Sequence, residues 1–241
     1  MRYILLALCL VFALPADQGR SHGLSGLQVR EIVLARDGAD TLVYVRQPLP
    51  LLFSDVILEA MRAQTPLRSP YLRLEQGAAG ARYRVDLAAV AEDPAAFRDR
   101  LRRALVFRDG AGTVTPQVID FGMTTHHARP AFRDAATARA ALRAPTPPQD
   151  PAFGEAIVAY ALRLPEPAVP TVASALPPLP AGPALRLQTH LHRDRTRGPL
   201  HRMVAGPLLQ PTPFPATRPE RARQAIRSWW RRLTGPGAEA P

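Results

Sequence analysis

Apolar and polar residues alternate in several short segments of the chain, which is the pattern of a half-buried β-strand. LQVREIVLAR (27–36) and TLVYVR (41–46) flank the turn sequence DGAD (37–40), and this arrangement predicts a β-hairpin. YLRLE (71–75) and RYRVDL (82–87) flank a Gly- and Ala-rich turn and predict a second hairpin. Short turns between alternating segments favour antiparallel pairing.

Other segments have the spacing of helices. LLFSDVILEAMRA (51–63) places apolar residues on one stripe, which suits a helix packed on a sheet. A second helix is predicted to begin at Asp93-Pro94, because Asp is a good N-cap and Pro is tolerated at the first helical position. A short Ala-rich helix is predicted around 134–142. GEAIVAYALRL (154–164) fits a strand or a helix equally well, since its apolar run lacks a clear period.

The chain has a proline-poor first part and a proline-rich second part, since 19 of the 27 prolines lie from Pro145 onward. We therefore predict an α+β domain over residues 17–165, with an antiparallel sheet of hairpins and two or three helices packed on one face. Residues 166–216 are predicted to form a Pro-rich extended segment. The alternative is that ALRLQTHLH (184–192) and the later RMVAG segment return to the sheet as strands.

The N-terminus has the order of regions found in a secretory signal peptide. Met1-Arg2 precedes an apolar run of about twelve residues, and Ala16 is a small residue at a plausible cleavage site. We predict a signal peptide over residues 1–16 and a periplasmic or secreted product. The run is too short for a bilayer span, which needs about twenty residues. The single cysteine, Cys9, lies within this leader, so the mature product would have neither disulfides nor thiolate ligands.

Positive charge is concentrated near the C-terminus. The chain has a formal net charge of +11, and all 31 basic residues are arginine. Residues 181–241 carry a net charge of +8, from eleven Arg against three acids. Lys and Asn are both absent, which indicates a codon bias rather than selection for guanidinium chemistry. Together with the predicted export, this makes a nucleic acid an unfavoured partner.

The sequence around RPERARQAIRSWWRRL predicts a basic amphipathic helix over residues 217–234, followed by a disordered terminus over residues 235–241. Such a helix can lie in an anionic membrane interface, contact an inner-membrane protein, or dock on its own domain. The residues predicted to bind a membrane or partner are Arg223, Ile226, Arg227, Trp229, Trp230, Arg231 and Leu233.

Three histidines in the C-terminal part are candidate metal ligands. His190 and His192 are two residues apart, so they would share one face of a strand, and His201 follows nine residues later. Neutral imidazoles placed in this way can bind zinc, copper or nickel. The interleaved arginines oppose a dication at this site.

Hydrolytic and nucleotide chemistry has no motif in the sequence, which contains no GxSxG elbow, P-loop, GxGxxG or HExxH. We therefore predict a non-enzymatic interaction module that needs no cofactor and contacts a membrane surface or membrane protein. The alternative is a periplasmic metal-binding protein or small hydrolase that uses His190, His192 and His201.

The order of elements from Leu27 to Leu164, including the proline-flanked segment VYVRQPLPLLFSDV, resembles the extracytoplasmic N-terminal region of HupE/UreJ-type membrane proteins. In that family a multi-span domain with His and Asp within its helices follows, and the family is associated with metal uptake or metalloenzyme accessory roles. The present chain has no such span. The resemblance implies a detached periplasmic partner of a membrane protein of this type.

Overall fold

The structure is a computed structural model with an α+β fold, as the sequence predicts. The leader predicted over residues 1–16 and the terminus predicted over residues 235–241 lie outside the described residues. Within the described part, no helix combines the length and the apolar character needed to cross a membrane. The structure describes residues 26–77, 80–109, 112–165, 170–180, 185–195, 198–216, 220–222, 225–226 and 229.

The elements follow one another closely along the described chain. The strands are β1 (Gly26–Asp37), β2 (Asp40–Pro48), β3 (Leu72–Gly77), β4 (Gly80–Val85), β5 (Leu105–Asp109), β6 (Gly112–Val114), β7 (Gln117–Thr125), β8 (Ala156–Leu164), β9 (Thr171–Ser174), β10 (Leu185–Arg193), β11 (Leu200–Ala205) and β12 (Thr212–Pro213). The helices are α1 (Leu49–Leu52), α2 (Ser54–Ala63), α3 (Leu87–Glu92), α4 (Pro94–Arg103) and α5 (Ala135–Leu142), and a 3-10 turn spans His126–Ala128.

A six-stranded sheet with the order β11-β10-β1-β2-β8-β7 forms the centre of the fold. The predicted hairpin of β1 and β2 is confirmed, and its loop begins at Gly38, which has a φ of 59°. Glycine is favoured there because an L side chain rarely adopts a positive φ. β3 pairs with β4 as the second predicted hairpin, and a four-stranded sheet has the order β12-β9-β5-β6. The sheet is not wholly antiparallel, because β10 pairs with β1 in parallel.

Helices cover both faces of the central sheet, so the prediction that they pack on one face is wrong. The larger apolar core contains Ile32 from β1 and Phe97 from α4. The second core contains Val33, the next residue of β1, and Ala138 from α5. Consecutive strand residues point to opposite faces of a sheet, so these two cores lie on opposite sides of β1.

The domain boundary predicted at residue 165 is also wrong. β10 and β11 belong to the central sheet, and β9 and β12 belong to the four-stranded sheet. The region predicted as an extended segment, 166–216, therefore supplies strands to both sheets, as in the alternative interpretation of residues 184–192. Phe214 is buried in the larger core, so the compact unit extends at least to this residue. Apart from Pro213 in β12, the described prolines of this region lie between short strands rather than in one long linker.

Candidate metal centre

The three candidate histidines meet at one edge of the central sheet. His190 and His192 lie on β10, and His201 lies on β11, the edge strand. The antiparallel register places His201 directly opposite His192. His190 shares their face because side chains two residues apart on a strand point the same way. The topology thus brings together three imidazoles that the sequence separates by a turn.

The ligand atoms of the three imidazoles lie within 4.8 Å of one another. Nε2 of His201 lies 3.2 Å from Nδ1 of His190. Two nitrogens that each lie about 2.0–2.1 Å from a tetrahedral zinc ion are about 3.3 Å apart. The 3.2 Å separation therefore fits a shared metal ion. It also fits a hydrogen bond between the rings when one of the two nitrogens carries the proton.

Burial keeps two of these imidazoles neutral. His192 is buried, His190 is half-buried and His201 is exposed. Desolvation, reinforced by repulsion from His201, lowers the pKa of His192 to about 4. Burial and the same neighbour also lower the pKa of His190. At neutral pH both rings therefore keep a lone pair, which metal coordination requires.

Each of the two less exposed imidazoles also has a ring nitrogen without a protein partner. Nε2 of His190 and Nε2 of His192 are buried and make no hydrogen bond within the described part of the chain. Leaving a buried polar atom unpaired costs about 1–3 kcal/mol. A metal ion bound at Nε2 of His192 would remove this penalty for that ring.

A carboxylate with two arginine partners lies beside the triad. Glu31 on β1 is the register partner of His190 on β10. Its Oε2 accepts a hydrogen bond of 2.7 Å from Nε of Arg46 and one of 2.8 Å from Nη2 of Arg129. Arg46 also donates to the carbonyl oxygen of Pro130. Because both arginines engage it, Glu31 is a supporting charge next to the histidines and not a free base.

Two contacts fix the carboxyl end of β10. The carboxylate of Asp194 accepts a hydrogen bond of 3.1 Å from the backbone N–H of Ala135, at the start of α5. Arg193 forms an ion pair with Glu220 through contacts of 2.7 and 2.8 Å. These contacts hold the strand that carries two of the three histidines against neighbouring elements.

Only part of the predicted membrane- or partner-binding helix lies within the described residues. Ile226 and Trp229 are helical, with exposed fractions of 61% and 55%. They are three residues apart, so they lie close together on the helix surface. The remaining residues predicted for this surface lie outside the described part of the chain: Arg223, Arg227, Trp230, Arg231 and Leu233.

The opposite face of the central sheet holds a buried guanidinium that the sequence does not reveal. Arg30 on β1 is only 3% exposed, and its Nε and Nη1 make no hydrogen bond within the described residues. Burial lowers the pKa of Arg30, and the nearby Tyr160 partly offsets this effect. The Tyr160 hydroxyl is buried and unpaired within the same described part, and burial raises its pKa. This pair lies across the sheet from the histidines.

A groove with a volume of about 610 Å³ lies away from the triad. It runs along β4 and the segment 147–155, and charged side chains line it. Arg84 pairs with Glu75, and its Nη1 also donates to the carbonyl oxygen of Asp150 over 2.6 Å. Arg73 forms an ion pair with the Asp150 carboxylate. These charges neutralise one another, and this arrangement gives no support to the groove as a hydrolytic site.

No protein-family model matches the chain, and no curated protein matches it. Inferences about function therefore rest on the geometry and chemistry of the residues themselves.

Proposed function

We propose that the protein binds a transition-metal ion through His190, His192 and His201. The observation that carries this proposal is the convergence of their ligand atoms within 4.8 Å on one face of two paired strands. Three imidazoles supply the nitrogen donors that zinc, copper and nickel accept. The ring nitrogens that make no hydrogen bond within the described residues also support it, because coordination can satisfy at least one of them.

Metal binding is better supported than metal-dependent hydrolysis. Such hydrolysis needs a base or acid that can exchange a proton with the metal-bound water. The carboxylate beside the triad is Glu31, and Arg46 and Arg129 both hold it. The carboxylate of Asp194 accepts from the backbone of α5. We therefore propose a role in binding or handling the metal, in the extracytoplasmic setting that the predicted leader indicates.

The test is metal analysis and calorimetric titration of the purified full chain with zinc, nickel and copper. We expect one ion per chain, and we expect the variant H190A/H192A to lose it. H126A/H127A is the matched control, since it also removes two histidines but leaves the triad intact. Far-UV circular dichroism checks that both variants fold. The proposal is wrong if the wild type binds no stoichiometric metal, or if both variants lose it equally.

A second candidate function is contact with an anionic membrane surface through the helix predicted over residues 217–234. The exposure of Ile226 and Trp229 favours it, because large apolar side chains on a basic helix can enter the headgroup region. We expect I226A/W229A to reduce sedimentation with phosphatidylglycerol vesicles. M61A is the control, since Met61 is similarly exposed, at 58%, on α2. Unchanged sedimentation of I226A/W229A would contradict this role.

A further inference from the structure

A sulfur donor lies next to the three imidazoles. Met203 is two residues from His201 on β11, and the register pairs it with His190 on β10. Directly paired residues in an antiparallel sheet have Cβ atoms about 4.5–5.5 Å apart, on the same face. His190, His192, His201 and Met203 thus form a rectangle on two strands, which we call the four-donor patch.

Met203 is free to turn toward the patch. Its side chain is 53% exposed, although most large apolar side chains in the central sheet are buried. Methionine is unbranched and flexible, so its thioether can reach across to a neighbouring strand without backbone movement. A single exposed methionine is common on a protein surface, so it is the position of Met203 opposite His190 that makes its sulfur a candidate ligand.

None of the four donors of the patch is an anionic ligand, and the thioether of Met203 is a soft one. Imidazole suits zinc, copper, iron and nickel, whereas a thioether selects for Cu(I). The neighbouring carboxylate of Glu31 is already neutralised by Arg46 and Arg129. No ligand in the patch therefore offsets the charge of a bound ion, and a monocation suits such a donor set better than a dication.

Positive charge around the patch also favours a monovalent ion over a divalent one. Arg46 and Arg129 both donate to Glu31, the register partner of His190, so the group beside the patch holds two guanidinium charges against one carboxylate. Coulomb repulsion is proportional to the charge of the ion, so these arginines oppose Cu(I) half as strongly as they oppose Zn(II). The same arginines that disfavour a dication are therefore compatible with Cu(I).

We propose that Met203 is the fourth ligand of the site and that the site is built for Cu(I). This inference rests on the proposed function, because it requires His190, His192 and His201 to bind a metal. It adds the identity of the ion and a sulfur ligand. An experiment can contradict either addition while still showing that the three histidines bind a metal.

The experiment compares Cu(I) and Zn(II) affinities of the purified full chain. Cu(I) is titrated without oxygen against a chromophoric chelator, and Zn(II) against a zinc indicator. M203L keeps the apolar volume and removes the sulfur. M61L is the matched control, because Met61 is similarly exposed but lies on α2.

We expect M203L to weaken Cu(I) binding at least tenfold, to change Zn(II) binding less than twofold, and to lose the sulfur scatterer in copper X-ray absorption. M61L should match the wild type. Equal Cu(I) affinity in M203L and wild type would overturn the role of Met203 but leave the histidine site in place. Tighter binding of Zn(II) than of Cu(I) by the wild type would overturn the choice of ion. Absence of any bound metal would overturn both this inference and the proposed function.

Discussion

Replacing Glu31 with glutamine is the sharpest test of the charge network beside the histidines. The side chain of Glu31 is 12% exposed and that of Arg46 is 4% exposed, so their ion pair is largely shielded from water. E31Q removes the negative charge but keeps the size of the side chain. The amide oxygen that E31Q introduces can still accept a hydrogen bond from Arg46, which also keeps its contacts with the carbonyl of Pro130 and the ring of Phe132. The buried guanidinium then has no negative charge opposite it.

The expected loss of stability follows from this burial. Removing one partner of a buried ion pair costs about 3–5 kcal/mol, because an uncompensated charge remains in a low-dielectric environment. This is a large fraction of the roughly 5–15 kcal/mol that stabilises a typical domain. R129M should cost only about 1 kcal/mol, since Arg129 is 27% exposed and its removal leaves the pair of Glu31 and Arg46 intact.

Urea unfolding of the metal-free protein, followed by far-UV circular dichroism, measures these free energies of unfolding. The double variant E31Q/R46M removes both buried charges, so it should be more stable than E31Q alone. E31Q should also weaken metal binding, and Zn(II) more than Cu(I), because the lost negative charge lies beside His190. The reasoning fails if E31Q costs less than about 1 kcal/mol, or if the double variant is no more stable than E31Q.

Two further predictions concern buried ionisable groups. R30M should raise the free energy of unfolding, measured in urea titrations, by about 1–3 kcal/mol. The reason is that it removes a buried cation whose Nε and Nη1 have no hydrogen-bond partner within the described residues. A loss of stability in R30M would show instead that other groups compensate the guanidinium charge. His192 should make the metal-free protein less stable as the pH falls from 6.5 to about 4, because the unfolded chain takes up a proton before the folded one. The loss of unfolding free energy approaches about 3 kcal/mol over this pH range. In urea titrations at a series of pH values, H192Q should lose less stability than the wild type. Equal losses in both proteins would show that His192 does not cause the pH dependence.

Local signals in the sequence account for the elements that were predicted correctly. The β1–β2 hairpin depends on alternation and on a Gly-containing turn, all within residues 26–48. The start of α4 depends on Asp93, whose carboxylate accepts a hydrogen bond from the N–H of Ala96 as the N-cap prediction requires. Both features are determined by neighbours in the chain, so no knowledge of the tertiary fold is needed.

The errors occur where distant parts of the chain decide the structure. Residues 156–164 form a central strand that is buried on both faces, so their apolar run has no alternation to distinguish strand from helix. β10 reaches the sheet by pairing in parallel with β1, and no local pattern specifies such a partner. The proline-rich composition between β8 and β10 therefore favoured a linker over a return to the sheet.

The same limit explains which part of the candidate metal centre can be predicted from the sequence. The two-residue spacing of His190 and His192 places them on one face of any strand, but the position of His201 depends on the register of β11. Glu31 was missed because its closeness to His190 follows only from the pairing of β1 with β10. Met203 was missed because it takes its place opposite His190 through the same register that positions His201.

The four donors differ in exposure, so substitutions at them should affect the stability of the fold and the binding of an ion to different extents. His192 is buried next to the inner strand β1, where the Glu31 network lies, whereas His201 and Met203 are exposed on the edge strand. A change at His192 must therefore alter packing as well as coordination. Substitutions at His201 or Met203 would remove a proposed ligand from a surface that faces solvent, and they should alter the core little. An ion bound by the patch would therefore contact the folded sheet on its inner side and would be accessible from the side of β11, so we expect it to exchange without unfolding of the sheet.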